Sequence, residues 1–263
     1  MNIWVLIWLG VALTLLYFMG WNLLILYRQK KAWSIFADKE GLRYDAKNLS
    51  ASPEMNGTYK DYTVSLFTGE HLAPDGRGSR KLAAIEVQLS SHMPFEAAMA
   101  SGGMVSFVRE LRFNEEVKIK HKNWRKDYIA ASNTPFALQS YLTDERVEAI
   151  MSLVRVKNGW LILVFKGDTT LLRFDTADPL DKTGKIRAIL NRMVDVAQVL
   201  ELQAGESKQL KEDMARTSPK EKALQIDDED FAASSGLQLD EDDAEELTPV
   251  DDETGGSQTE KPD

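Results

Sequence analysis

The strongest constraint on this chain is a run near its N-terminus, residues 3–27, IWVLIWLGVALTLLYFMGWNLLILY, which holds no charged side chain. At about 1.5 Å of rise per residue, a helix of this length reaches roughly 37 Å, enough to cross a hydrocarbon core of about 30 Å with some tilt. Trp4 and Trp8 lie near one end and Trp21 and Tyr27 near the other, where amphipathic rings favour the two interfaces of a bilayer. The run predicts a transmembrane helix, with residues 1–31 as anchor and basic inner flank. A cleaved leader is the competing reading. It wants a positive n-region, a short apolar core and a small-residue cleavage site. Only the α-amino group precedes this run, and no A-x-A pattern appears before Arg28.

Arg28, Lys30 and Lys31 follow the run directly, and no Lys or Arg precedes it. The positive-inside bias then predicts a single-pass protein of the inner (plasma) membrane, N-terminus outside and C-terminal bulk cytoplasmic. The absence of cysteine is compatible with that compartment. Gly10 and Thr14 form a small-xxx-small pair, and Asn22 adds an amide near the inner end. Such a face lets two helices approach and hydrogen-bond, so these three residues are candidates for a homodimer through the span. The plainer reading puts Asn22 at headgroup level and makes Gly10 ordinary membrane-helix composition.

Charge divides the rest. Residues 204–263 hold 19 acidic and 6 basic side chains, a net of −13 within a chain total of −9. The first 203 residues are left with 22 acidic and 26 basic, a net of +4. Residues 32–203 therefore read as a mildly basic cytoplasmic domain, and 204–263 as a disordered acidic tail too poor in apolar surface to offset its ordering entropy.

Within the domain, Trp33, Phe36 and Ala37 sit at one-face helical spacing, with Gly41 as a stop. GLRY predicts a short strand. TYK and YTVSLFTG flank Lys60-Asp61 as a hairpin, and AAIEVQLSS alternates Ile85, Val87 and Leu89 against Glu86, Gln88 and Ser90. Residues 94–100 predict a helix stopped by Gly102 and Gly103, and MVSFVRELRF fits either a strand or a helix, with strand the preferred reading. EEVKIK and DYIAAS read as strands around HKNWRK. Thr134 and Pro135 supply an N-cap and a first-turn proline, and Thr143 caps a second helix. WLILVF is apolar throughout, the mark of a strand covered on both faces, and Lys166-Gly167-Asp168 turns it into TTLLRF. Residues 182–203 predict a long helix with Ile186, Ile189, Leu190, Met193, Val196, Ala197 and Leu200 on one face. The sum is an α+β fold: an antiparallel sheet covered by helices, behind a transmembrane helix and ahead of the tail.

The order W-x-x-F-A-x-x-x-G-L-x-Y from Trp33, P-x-M-x-G-x-Y from Pro53, Y-I-A-A-S from Tyr128 and L-T-D-E-R from Leu142 resembles a diffuse group of uncharacterised bacterial membrane-anchored α+β proteins. The resemblance spans roughly residues 33–202 and rests on glycine turns, aromatic core positions and a helix cap. It implies a bacterial fold and no activity.

Signals for chemistry are sparse. His71, His92 and His121 stand at no metal-ligand spacing and no cysteine can join them, so neither a metal nor another cofactor is expected. There is no G-x-S-x-G, and Glu115-Glu116 is followed by Lys118 and Lys120 as in a salt-laced strand. The PDGRGSRK loop has glycines and the cations Arg77, Arg80 and Lys81 without a dinucleotide or Walker context, which makes it a hairpin loop. Lys118, Lys120, Lys122, Arg125 and Lys126 crowd around Trp124, a pattern able to grip an anionic leaflet or a partner. Leaflet contact outranks nucleic acid because the chain is already tethered to a membrane. The competing reading is an edge whose lysines deter strand pairing. In the tail, Ile226, Phe231, Leu237 and Leu239 punctuate acidic surroundings as candidate docking points. The expectation is a non-enzymatic membrane-anchored scaffold or adaptor that meets other proteins through tail or domain, against the alternative of a ligand- or lipid-binding sensor module.

Overall fold

The computed structural model describes residues 3–46, 48, 51–72 and 79–215. The apolar run and the Trp33 segment are one unbroken helix, α1 (Ile3–Glu40). Its first two-thirds is exposed, and its last turns bury Trp33, Phe36 and Ala37 completely. It is long and apolar enough to span a membrane.

Strands β1 (Arg43–Asp45), β2 (Glu54–Tyr59), β3 (Tyr62–Leu72), β4 (Ser79–Gln88), β5 (Ala97–Ser101), β6 (Glu115–Glu116), β7 (Tyr128–Ser132), β8 (Gly159–Lys166) and β9 (Thr169–Thr176) form one antiparallel sheet in the order β1-β2-β3-β4-β9-β8-β5-β7-β6. Lys60 and Asp61 both take positive φ, 49° and 69°, the backbone that matches a two-residue hairpin to strand twist. Helices α3 (Pro135–Tyr141), α4 (Asp144–Val154), α5 (Thr183–Leu200) and α6 (Glu206–Met214) share a core with the end of α1 and one face of the sheet. Met55, Val64, Leu66, Ile85, Val87, Leu172, Phe174, Leu161, Leu163 and Phe165 line that face. The alternate residues of the same strands point to the second face, as a period of two demands.

Four expectations are corrected. Residues 94–100 do not form a helix: Ala97–Ser101 is strand β5, buried at every position between β8 and β7. Alanine favours helices intrinsically, but here Ala98 and Ala100 are packed closely under Met104 and Val108, and packing overrides propensity. MVSFVRELRF takes the helical of its two readings and not the preferred strand: a 3-10 turn (Gly102–Met104) leads into helix α2 (Val105–Glu110). Met104, Val108 and Leu111 then fall at helical spacing on Ala98, Ala100, Ile129, Ala131 and Ile162, a second, smaller core on the second face. Thr134 holds the N-cap position of α3 without capping it, its own N–H instead donating to Ser132 Oγ at 3.0 Å. Finally, the folded part continues past Gln203, because α6 buries Leu210 against α3. Thr143 does cap α4, accepting from Arg146 N–H at 3.3 Å, and α5 carries the expected apolar face with Ile189 only half-buried.

Candidate functional site

Helix α2 covers only the β5–β7–β8 part of the second face. Over β3, β4 and β9 that face carries mostly half-buried side chains around the buried Ala84 and Asp175, and among the described residues no helix lies on it. Alternation lines up Ser65, Phe67, Gly69 and His71 on β3, Glu86 on β4, and Leu171, Arg173 and Asp175 on β9. Where bare sheet meets α2 there is a cleft of about 700 Å³. Met104, Phe107, Leu111, Ile162, Val164 and Leu171 make its apolar wall, and Glu70, His71, Glu110, Lys166 and Arg173 its polar one. Phe107 is 47% exposed at its rim.

The polar wall is anchored on Asp175, which is fully buried. Arg173 grips it with a fork, Nε to Oδ1 at 2.7 Å and Nη2 to Oδ2 at 2.9 Å, and reaches Glu86 Oε1 from Nη1 at 3.4 Å. Ser65 Oγ donates to the other Glu86 oxygen at 3.1 Å, and His71 Nε2 pairs closely with Asp175 Oδ2. Burial alone would lower the Arg173 pKa, but its hydrogen bonds to Asp175 and the charges of Asp175 and Glu86 hold it above its ordinary value. The guanidinium also stands 5.1 Å from the centroid of the Phe67 ring, and Trp160 meets His71 edge-on at 5.5 Å.

Three glycines make room for this wall. A Cβ on Gly69 would lie 2.8 Å from Arg173 Nη2, so any side chain there displaces the fork. Gly102 and Gly103 lie flat on the Trp160 indole, where a Cβ would come within 2.5 and 2.7 Å of the ring, and Gly102 has φ of +57°. They read in the sequence as a helix stop, whereas in the fold they seat the start of α2. Chemically, the site offers a fixed cation and an imidazole beside an apolar wall, with the buried carboxylate setting the position of both.

The residues singled out from the sequence lie elsewhere. Lys118, Lys120, Lys122, Arg125 and Lys126 are exposed between β6 and β7, while Val117 is buried and Ile119 half-buried between them. Trp124 is turned to its own domain, packed on the main core and edge-on to Tyr128 at 5.6 Å. Arg125 is held by a fork to Asp127 at 3.0 Å for both contacts. On α1, Gly10, Thr14 and Asn22 are exposed, and the Thr14 hydroxyl donates to Gly10 O at 2.8 Å within its own helix. The tail positions Ile226, Phe231, Leu237 and Leu239 lie outside the described residues. The histidines are apart, with His92 Nδ1 2.8 Å from Asp168 O and His121 Nε2 3.3 Å from Glu148 Oε2. The Arg173–Asp175–His71 cluster escaped sequence reading. Its one signal is the pair of charges two residues apart in R-F-D, on a strand of otherwise inward character.

No protein-family model matches the chain, and no curated protein matches it.

Proposed function

We propose that this protein is a non-enzymatic, membrane-anchored binding module that presents the cleft beside α2 to a partner at the inner leaflet. The observation that carries this reading is the half of the second sheet face that no helix among the described residues covers, with the exposed Phe107 at its edge and an ion-paired wall opposite. Exposed apolar surface rimmed by polar groups marks interaction sites, and an aromatic in such a place makes an anchor. The continuity of α1 supports a retained anchor over a cleaved leader. The same helix that begins in the apolar run ends as part of the core, with no loop or extended segment near Arg28 at which a leader could be cut. Arg28, Lys30 and Lys31 support the cytoplasmic side.

The alternative, a small-ligand or lipid sensor, draws on the cleft volume, which falls in the range of small-molecule sites, roughly 300–1,000 Å³. One experiment separates them. A photo-crosslinking amino acid is placed at Phe107 and, as a control, at Thr63, in the full chain in cells. Protein-sized adducts from position 107 alone are the expected result. Position 107 giving no more adduct than position 63, with a small molecule retained by the purified chain in native mass spectrometry, transfers the cleft to the sensor reading.

A further inference from the structure

The stripe of α1 that faces the domain starts inside the apolar run. Ile25 and Leu26 are half-buried, and Gln29, Ala32, Trp33, Phe36 and Ala37 are buried, at spacings of three and four. No linker separates the run from the domain. After Gly41 the chain turns back along the helix. Leu42 N–H donates to Ala37 O at 2.9 Å, whereas Lys30 Nζ donates to Ala46 O and Asn48 O at 3.4 and 2.6 Å. Strand β1 thus heads toward the span. Two antiparallel pairings make β3 parallel to β1, and a twist of about 20–25° per strand turns it only about 45° away.

Strand β3 is also the long one. Its last pairing with β2 is Leu66 opposite Met55, but its hairpin with β4 runs on to Leu72 opposite Ser79, roughly 20 Å further at about 3.4 Å per residue. Near that end Arg80 and Lys81 are exposed, as are Arg28 and Lys31 on the outer side of α1. Among the described residues the acid facing them on the hairpin is Glu70, 3.6 Å from Lys81, while His71 beside it is turned to Asp175.

We propose that the β3–β4 hairpin, through Arg80 and Lys81, and α1, through Arg28 and Lys31, form a seat that rests on an anionic phospholipid surface. The domain is then held in one pose against the leaflet instead of swinging on a tether. This inference rests on α1 spanning a bilayer. Attraction of exposed cations to such a surface acts within a Debye length, about 8 Å at physiological salt, so only side chains held this close take part. The basic run 118–126 is not part of the seat. From β1 to β7 the sheet takes seven steps, the twist accumulates to about 150°, and strand direction there no longer follows α1.

The chain has no cysteine, so single labels are clean. Ser79→Cys reports the hairpin end, Thr63→Cys the other end of β3 about 30 Å away, and Leu13→Cys the middle of the span. The full chain, carrying a fluorophore at one of these, is reconstituted in nanodiscs of equal parts phosphatidylcholine and phosphatidylglycerol with a headgroup-attached quencher. The expected result is quenching several-fold stronger at 79 than at 63, reduced to the level of 63 by Arg80→Glu with Lys81→Glu and by pure phosphatidylcholine. Equal quenching at 79 and 63, with position 13 reporting the acyl region, overturns the seat and leaves the span standing. Undiminished quenching at 79 in pure phosphatidylcholine overturns its anionic chemistry. Failure of the chain to insert overturns the span and the seat together.

Discussion

Arg146 shows how a single side chain can hold several elements. It is 4% exposed, and all five of its N–H groups are used. Nε donates to Val199 O at 3.2 Å, Nη1 to Tyr141 O at 2.9 Å and to Glu206 Oε1, and Nη2 to Glu201 O and Glu206 Oε2 at 2.9 and 2.7 Å. Carbonyls that the end of α5 would leave unpaired are thereby satisfied, with Tyr141 Oη donating to Leu200 O at 2.5 Å. The hydrogen bond from Arg146 holds the Glu206 carboxyl below its ordinary pKa, helped by one from Gln203 N–H, although partial burial opposes it. A carboxyl whose folded pKa is depressed stabilises the fold above its unfolded pKa and loses that contribution as pH falls through the folded value. Glu206→Gln is therefore expected to lower stability near neutral pH by about 1.5–3 kcal/mol, the range for a hydrogen bond to a charged group. In thermal melts of the detergent-solubilised full chain, the gap between variant and wild type closes as pH drops below the ordinary carboxylate range. A gap that stays constant into strong acid contradicts this role for Glu206.

Among the elements, β5 and α2 are where fold and sequence pattern part. Because Ala98 and Ala100 are pressed between α2 and the middle of the sheet, Ala98→Leu is expected to cost about 1–3 kcal/mol through overpacking. On a surface helix, which the alanine-rich composition suggests, the same change would be close to neutral. A denaturant midpoint shift measured in detergent decides between them. Elements with strong periodic patterns were legible: α1, α5, the Lys60-Asp61 hairpin, and the β8–β9 pair with its glycine turn. AAMAS and MVSFVRELRF were not, because in each the local preference runs against the tertiary role. Small residues became a strand where two layers close in, and β-branched and aromatic residues became a helix that needed only Met104, Val108 and Leu111 in register. The cleft was illegible for a related reason. His71 and Arg173 lie about a hundred positions apart and meet only through the β3-β4-β9 order, which no short motif encodes.

At the scale of the whole molecule, the apolar helix, the main core and the second sheet face are continuous with one another. α1 delivers its last turns into the core, the core fixes the sheet, and the sheet's second face holds the ion-paired wall of the cleft. Such an arrangement suits a module whose binding surface must keep a set orientation to a bilayer. It depends on the helix staying in the membrane with the domain on the cytoplasmic side. The most direct measurement fuses two reporters in turn after Asp263: a fluorescent protein that matures only in the cytoplasm, and an alkaline phosphatase active only outside it. Fluorescence that stays with the membrane fraction after carbonate washing, with no phosphatase activity, is the result predicted. Active phosphatase, or fluorescence released by the wash, contradicts a membrane-anchored cytoplasmic binding module.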